Sequence, residues 1–180
     1  MAIREKLFIP ENIYFITFTI LEWKIVFTDD RYFNLVYKWF DYIKEKYGNK
    51  INGYVIMPNH IHVLMYISKK SQELSKLIQN AKRFLAYGVV DLLEKDSNKN
   101  ILEFFAANAE VNKGAKHKVF ENRFDAKLMD MDLFLQKLEY IHNNPCQEKW
   151  RLVDAPEDYK HSSASNYFLG KGIYEVEIIN

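Results

Sequence analysis

The apolar run at residues 51–67 limits the possible folds of this chain more than any other stretch. It reads INGYVIMPNHIHVLMYI, and the dipeptide Pro58-Asn59, a turn or bulge signal, divides it into two halves. Both halves are rich in β-branched and aromatic residues, which favour strands. We therefore predict two consecutive strands, over 51–57 and 60–67, and the fold must place both of them in a sheet.

Patterns on both sides of this run predict the remaining elements. Before it, the aromatic and β-branched segment 12–21 predicts a strand, and a helix over 30–47 follows a capping Asp29 or Asp30. After it, the predicted elements are a helix near 72–94, a loop over 95–100, a short helix over 101–109, a strand over 117–124 and a helix from about 130 to 144. Pro145 biases the residue before it away from helix and so ends the last helix.

This order of elements predicts an α+β fold. It matches the β-α-β-β-α-β pattern of ferredoxin-like folds, in which an antiparallel sheet carries helices on one face. At 180 residues, the chain is expected to form one domain over 1–180, with a core over about 10–145, an added C-terminal helix and a tail over 146–180. The alternating end of this tail, IYEVEIIN, either adds an edge strand or pairs with a second chain.

The charge balance and the single cysteine exclude several classes of protein. The 25 Lys and Arg residues and 24 Asp and Glu residues leave a net charge of +1, so any nucleic-acid binding must depend on local basic patches. The single cysteine, Cys146, excludes an internal disulfide and a multi-cysteine zinc site, and it fits a reducing, cytoplasmic setting. The first residues lack the features of a secretory signal, and no window of ~18 uninterrupted apolar residues predicts a membrane span.

His60 and His62 form the sharpest local signal. Side chains at positions i and i+2 of a strand point to the same face, so the two imidazoles lie about 7 Å apart along the backbone and can converge on one metal ion. Ile61 between them is expected to point into the core. The alternative interpretation is a pair of solvated or hydrogen-bonded histidines at a strand end.

The helix that ends at Pro145 carries a tyrosine away from its apolar side. Its apolar stripe is predicted to consist of Phe134, Leu135, Leu138 and Ile141. Tyr140 and Asn144 lie off this stripe, one turn apart on a shared face, whereas His142 lies on the stripe side and is expected to pack. An amide oxygen is a suitable ligand for Mg²⁺ or Mn²⁺, so the pair fits a nucleophile beside a metal ligand. The alternative is an amphipathic tyrosine that covers a neighbouring element.

Taken together, these motifs resemble those of the single-tyrosine HUH transposases, and most of all those of the REP-associated tyrosine transposases. The resemblance runs over most of the chain. The matching segments, in order, are FITFTI, WKIVFTDDRYF, YVIMPNHIHVLMYI, VFENRFDAKLMD, YIHNNP and PEDYKHSSASNY. Each segment alone is common, but the combination is specific to this family.

The resemblance implies both the chemistry and the residues of the site. In that family two histidines bind a divalent metal, Mg²⁺ or Mn²⁺, and a helical tyrosine attacks the DNA, and these roles carry over to His60, His62 and Tyr140. In the REP-associated branch an Asn four residues after the tyrosine supplies a further ligand, here Asn144. The implied activity is cleavage and rejoining of single-stranded DNA near a hairpin through a covalent 5′-phosphotyrosine intermediate, as in DNA transposition.

Two basic patches are the candidates for contact with DNA. Residues 69–87 hold five basic residues and one acid, and residues 111–127 hold five and two, which gives local charges of +4 and +3. The candidate DNA-binding residues are Lys82, Arg83, Lys116, Lys118 and Arg123. Exposed aromatic residues such as Tyr87 or Phe120 are candidates for stacking on unpaired bases. The implied partner is single-stranded DNA or a DNA hairpin and not a membrane, and the sequence leaves a monomer and a homodimer open.

Two other functions stay open at this point. A catalytically silent, domesticated protein on the same fold would bind DNA hairpins without cleaving them. A small-molecule metallohydrolase would use His60 and His62 and would keep its activity without Tyr140. The presence of both histidines, the tyrosine and Asn144 favours the transposase-like enzyme.

Overall fold

The computed structural model of the protein describes residues 8–110 and 114–179. In these ranges the chain forms a four-stranded sheet and five α-helices. The strands are β1 (Asn12–Thr19), β2 (Lys50–Met57), β3 (His60–Ile67) and β4 (Asp125–Leu128). The helices are α1 (Asp30–Tyr47), α2 (Leu74–Lys95), α3 (Lys99–Ala107), α4 (Met131–Asn143) and α5 (Ala164–Leu169).

The sheet has the strand order of a ferredoxin-like fold, β2-β3-β1-β4. All neighbouring strands are antiparallel, so the predicted α+β fold is confirmed. The central pair, β1 and β3, is in a register that places Thr17 opposite His62 and Thr19 opposite His60. This register brings a hydroxyl side chain next to one of the two histidines.

Helices α1 and α2 cover one face of the sheet, here called the packed face. Its buried side chains include Ile16, Phe18, Ile61 and Val63 from the sheet and Val36, Phe40 and Leu85 from the two helices. Full burial of each such side chain contributes about 1.5–3 kcal/mol to the free energy of unfolding. The position of α1 is fixed at its start by Asp29, whose carboxylate accepts a hydrogen bond from the Arg31 N–H at 2.9 Å.

Helix α4 covers part of the opposite face, here called the site face. The apolar contact between α4 and the sheet consists of Phe15, Val55, Met57, Leu64, Phe134, Leu138 and Ile141. Gly53 permits this close approach, because a Cβ atom at that position would lie 2.7 Å from Leu138 Cδ1. His60 and His62 lie on the same face as Leu64, by the alternation of β3.

The C-terminal segment runs along the outer edge of β2. The Ile56 N–H donates to the His161 carbonyl, the Ser163 N–H donates to the Tyr54 carbonyl at 2.9 Å, and the Glu177 N–H donates to the Ile51 carbonyl at 2.8 Å. The alternating tail therefore lies against an edge strand of its own chain without forming a regular strand. These bonds occupy backbone groups that would otherwise be open to pairing with another chain.

The strand predicted over 117–124 is wrong. The strand that pairs with β1 is β4, which begins at Asp125, and within 117–124 only an isolated bridge joins Phe120 to Ile20. The Lys82 ammonium group donates hydrogen bonds to the Glu121 and Arg123 carbonyl oxygens, at 2.6 and 2.9 Å. These carbonyls are therefore bonded to a side chain, which fits the irregular backbone of this segment. The expectation that Phe120 is exposed is also wrong, since its side chain belongs to the core.

The remaining differences concern element ends and exposure. The predicted strand over 12–21 ends at Thr19 and is followed by a short 3₁₀ turn over Leu21–Trp23, while α2 and α3 each begin two residues away from the predicted start. Lys113, one of the basic residues counted in the second patch, lies outside the described residues. None of the helices in the described ranges combines the length and the apolar character needed to span a membrane.

Candidate active site

The two histidines of β3 lie side by side in a buried pocket on the site face. Their ring centroids are 4.7 Å apart, at an interplanar angle of 74°. Both side chains are buried, and Ile61 between them points into the core of the packed face. The strand alternation therefore places the three side chains as predicted from the sequence.

Asn59 fixes the orientation and the tautomer of His60. The Asn59 amide nitrogen donates to the Trp23 carbonyl at 3.0 Å, so the amide oxygen is the atom that faces His60 Nδ1, at 2.7 Å. A carbonyl oxygen only accepts, and His60 Nδ1 must therefore carry the proton. The Nε2 atom of the neutral ring then holds a lone pair, which is the form that binds metals.

Thr17 supports the orientation of the His62 ring from the neighbouring strand. The Thr17 hydroxyl lies 2.8 Å from His62 Nδ1, across the β1–β3 pairing. The opposite ring atom, His62 Nε2, is buried and has no hydrogen-bond partner. A buried nitrogen without a partner costs about 1–3 kcal/mol, and a bound ligand would remove this cost.

Asn144 brings a second unpartnered polar group to the pocket. Asn144 follows the last residue of α4 and is the first residue of a short 3₁₀ turn, Asn144–Cys146, which contains Pro145. Its side chain is 1% exposed, and neither atom of its amide has a hydrogen-bond partner. Of the six buried side-chain nitrogen and oxygen atoms without a partner in the described ranges, three belong to His62 and Asn144.

Burial keeps both histidines neutral near pH 7. It lowers the pKa of His60 to about 4, with a smaller contribution from the positive charge of Lys149 and an opposing one from the Asn144 amide. The pKa of His62 lies well below its usual range, because of burial first and the neighbouring His60 second. A metal binds imidazole only in its neutral form, so the site is ready for a cation without losing protons first.

Tyr140 stands beside His62 at the mouth of the pocket. Its ring centroid lies 5.4 Å from that of His62 and 6.4 Å from that of Phe15, and its side chain is 40% exposed. The Lys137 ammonium group lies 5.2 Å from the Tyr140 ring centroid and 4.9 Å from that of Phe15. A partly exposed phenol next to a buried imidazole and a lysine ammonium group is well placed to meet an anionic substrate.

The rest of α4 follows the predicted stripe with one exception. Phe134, Leu138 and Ile141 are buried, but Leu135 is 54% exposed, so its assignment to the stripe is wrong. Leu135 lies about 100° from Phe134 around the helix axis, at the margin of the stripe, where the sheet no longer covers it. His142 packs as predicted, with Nε2 at 2.9 Å from the Ser163 hydroxyl.

The candidate DNA-binding residues lie on α2 and on the segment that leads into β4. Lys82 and Arg83 line a groove of about 770 Å³ between α2 and the segment 119–124. Burial lowers the pKa of Lys82 to about 8. Its ammonium group donates a hydrogen bond to the Glu121 carbonyl. Lys116, Lys118 and Arg123 lie on the segment that leads into β4, where Lys118 pairs with Glu110 at 3.9 Å.

Several residues of the site were not identified from the sequence. Thr17 contacts His62, and Asn59, Trp23 and Trp150 contact His60. The ring centroids of the two tryptophans lie 5.6 and 6.0 Å from that of His60. Only Asn59 had a signal, since it directly precedes His60 in the chain. The others reach the pocket through strand register and loop packing, which no local pattern specifies.

In the described part of the chain, no group of three His, Cys, Asp or Glu side chains is arranged to hold a metal ion. The donors available at this pocket are of two kinds, imidazole nitrogen and amide oxygen. This mixed set suits a divalent cation of intermediate hardness rather than a soft thiolate-bound ion.

Comparison with known proteins supports a relationship over most of the chain. The family described as "Transposase IS200 like" matches residues 12–144, a range that includes both histidines, Tyr140 and Asn144. No curated protein sequence is similar enough to the chain to count as a match.

We describe two of the solved structures that are similar to this one. One is described as a REP-associated tyrosine transposase bound to a REP hairpin; it has 15% identity and a TM-score of 0.67, with 100% of this chain and 92% of that chain covered. The other, a protein of Deinococcus radiodurans R1 provisionally assigned as a transposase, has 13% identity and a TM-score of 0.41, with 79% and 97% covered. The first likeness supports the fold, and the second is too weak to carry an argument.

Proposed function

Because this chain belongs to the family of IS200-like transposases, we propose that it is a metal-dependent enzyme that cleaves and rejoins single-stranded DNA beside a hairpin. The observation that carries this proposal is the position of Tyr140. Its ring lies 5.4 Å from that of His62, whose buried Nε2 has no partner, so a nucleophile and an electron-pair donor meet in one pocket.

The donors of the pocket fit a divalent metal, and the family resemblance implies Mg²⁺ or Mn²⁺. His60 and His62 would supply imidazole nitrogens and Asn144 an amide oxygen, and the buried unpartnered atoms of His62 and Asn144 support this assignment. A metal bound there would polarise the phosphate and stabilise its developing negative charge. Thr17 and Asn59 would hold the two imidazole rings in orientation, while burial keeps the rings neutral.

Tyr140 would be the nucleophile. Its hydroxyl oxygen attacks the phosphorus, the bond from phosphorus to the 3′ oxygen breaks, and the phenol loses its proton as the departing 3′ oxygen gains one. The product is a 5′-phosphotyrosine and a free 3′-OH end. Because the phosphodiester bond is exchanged rather than hydrolysed, the reverse attack by a 3′-OH rejoins DNA without ATP.

A DNA hairpin is the proposed binding partner. The solved structure with the same fold is described as bound to a REP hairpin, and this chain carries Arg83, Lys116 and Arg123 on exposed positions. Lys118 is a weaker candidate because it pairs with Glu110. Lys82 would act indirectly, because its ammonium group shapes the 121–123 backbone beside the groove.

Covalent capture tests the proposal. An end-labelled library of single-stranded DNA hairpins is mixed with the protein and Mn²⁺, and denaturing electrophoresis detects a protein–DNA adduct. The adduct is expected with the wild type, to be lost with chelator, and to be lost with Tyr140→Phe. Tyr87→Phe, which makes the same change at an exposed tyrosine on α2, is the matched control and should form the adduct.

The failures of this experiment are informative in different ways. Hairpin retention on native gels without any adduct would contradict catalysis and favour a DNA-binding protein that has lost its activity. An adduct that survives in Tyr140→Phe would assign the nucleophile to another residue. Metal-dependent ester hydrolysis that persists in Tyr140→Phe, with no DNA binding, would favour a small-molecule hydrolase.

A further inference from the structure

An exposed tryptophan stands at the rim of the histidine pocket. Trp23 is 58% exposed, and its ring centroid lies 5.6 Å from that of His60, with the two rings nearly perpendicular. Trp39, in contrast, is buried in the core of the packed face. The exposed ring face of Trp23 beside the polar pocket is therefore available for stacking on a bound ligand.

The backbone holds this tryptophan in a costly conformation. Glu22 and Trp23 have φ values of +49° and +57°, a left-handed region that bulky residues rarely adopt. The Trp23 carbonyl accepts from the Asn59 side chain at 3.0 Å, and the Val26 N–H donates to the Pro58 carbonyl at 2.9 Å. These bonds fasten the turn to the strand connection that precedes His60, so the ring is held in place rather than free to move.

Trp23 and Tyr140 lie at opposite ends of a row of aromatic rings. The row runs from Trp23 to His60 at 5.6 Å, from His60 to His62 at 4.7 Å and from His62 to Tyr140 at 5.4 Å. The two outer rings are exposed and the two inner ones are buried. A phosphate bound at the histidines would therefore have Tyr140 on one side and Trp23 on the other.

We propose that Trp23 is the stacking platform for one unpaired DNA base, that of the nucleotide on the 5′ side of the cleaved phosphate. In a displacement at phosphorus, the attacking and leaving oxygens lie roughly in line on opposite sides. Tyr140 attacks from its end of the row, so the nucleotide that carries the leaving 3′ oxygen extends toward Trp23. This inference rests on the proposed function, since it names a contact made by the same substrate.

Stacking on Trp23 is measured without any cleavage, in the Tyr140→Phe background. The probes are a labelled oligothymidylate of about 12 nucleotides and an abasic chain of equal length and charge, compared by fluorescence anisotropy. The protein with Trp23 is expected to bind the base-containing chain about tenfold more tightly than the abasic one. In Trp23→Leu the ratio of the two affinities, for the base-containing chain over the abasic chain, should fall toward one. In Trp23→Phe the ratio should stay close to that of the protein with Trp23.

Phe168→Leu is the matched control, because Phe168 is 60% exposed, is also aromatic and lies on α5. It should keep the full ratio. A ratio of one in the protein with Trp23, including no measurable binding of either probe, overturns the proposal, and so does an unchanged ratio in Trp23→Leu with normal thermal unfolding. Since this assay involves no covalent step, its failure leaves the result of covalent capture with the wild type unaffected.

The position of the base is tested in the hairpin strand whose cut site covalent capture maps. Removal of the base 5′ of the cut should weaken binding about tenfold in the protein with Trp23 and have no further effect in Trp23→Leu. Removal of the base 3′ of the cut should weaken both proteins equally. A 5′ removal that weakens both proteins equally would overturn the assignment of this base to Trp23.

Discussion

The packed face and the site face of the sheet are built from the same strands, yet they bury different kinds of side chain. Under α1 and α2, the sheet contributes aliphatic and aromatic residues such as Ile16, Phe18 and Val63. Under α4, the same strands contribute Thr17, His60 and His62, and unpartnered polar atoms remain at His62 and Asn144. The packed face therefore supplies stability, whereas the site face combines its apolar contact with α4 and polar groups that reduce stability.

Such a division is expected where a site must bind charged groups. Preorganised polar atoms cost free energy in the unliganded protein, and that cost is recovered only when the ligand arrives. The burial of apolar side chains on the packed face must then offset this cost in folding free energy. Removal of a core side chain from the packed face should therefore lower the free energy of unfolding, whereas replacement of an unpartnered polar group on the site face by an apolar one should raise it.

The largest effect is expected from Phe18→Ala on the packed face. Phe18 is fully buried on β1, with its ring centroid 5.4 Å from that of Trp39. Loss of its ring should lower the free energy of unfolding by about 3–5 kcal/mol, measured by chemical denaturation. Leu135→Ala, an exposed position on α4, is the control and should change it by less than about 0.5 kcal/mol. A loss below about 1 kcal/mol for Phe18→Ala would contradict the division between the faces.

An intermediate effect is expected from the titration of His161, which stacks on Phe33 of α1 with ring centroids 3.5 Å apart. Burial lowers the pKa of His161 to about 4, with a smaller contribution from Lys160 and an opposing one from Asp30. Between the usual value near 6.5 and about 4, the unfolded chain takes up a proton that the folded protein excludes. Stability is therefore full above pH 6.5 and falls as the pH decreases through this window, by about 2 kcal/mol for this group.

His161→Gln should remove that share of the acid sensitivity. Its free energy of unfolding, measured by urea denaturation from pH 7 to 4, should decline less steeply than that of the wild type by about 2 kcal/mol over the range. His117→Gln changes a histidine of the segment before β4 and serves as the control. Parallel pH profiles for wild type and His161→Gln would show that His161 does not contribute.

The smallest effect has the opposite sign. Asn144→Leu replaces a buried amide without partners by an apolar side chain of similar size, and it should raise the free energy of unfolding by about 1 kcal/mol in the presence of chelator. The same variant should lose covalent capture. Thermal unfolding in chelator compares the two proteins, with Asn143→Leu, an exposed neighbour, as the control. A clear loss of stability in Asn144→Leu would mean that its amide is satisfied in the folded protein.

Much of the fold was predictable because its signals are local. The strands of 51–67, the cap at Asp29 and the stop at Pro145 depend on neighbouring residues alone. The placement of His60 and His62 on one face also follows from strand alternation, because the two residues are two positions apart in β3. One domain over 1–180 and a cytoplasmic setting stay predictions.

The features that were missed depend on contacts between distant segments. The segment 117–124 has strand-like residues, but the Lys82 ammonium group on α2 donates hydrogen bonds to two of its carbonyls. Thr17 meets His62 only through the β1–β3 register, and the carbonyl of Trp23 meets Asn59 through a left-handed turn. Register and loop docking are set by the whole core, and a single sequence does not display them.

The hydrogen bonds that cover the edge of β2 also have a consequence for synthesis. Tyr54 and the Ser163 that pairs with it are 109 residues apart in the chain. At about 5–20 residues per second, a ribosome needs on the order of 5–20 s to make the intervening residues. During that time a newly made β2 has no cover on its outer edge, and neighbouring nascent chains on one messenger RNA can pair with it. Chaperone binding to incomplete chains is therefore expected to concentrate on this strand and to end once the segment from His161 to Glu177 has left the ribosome.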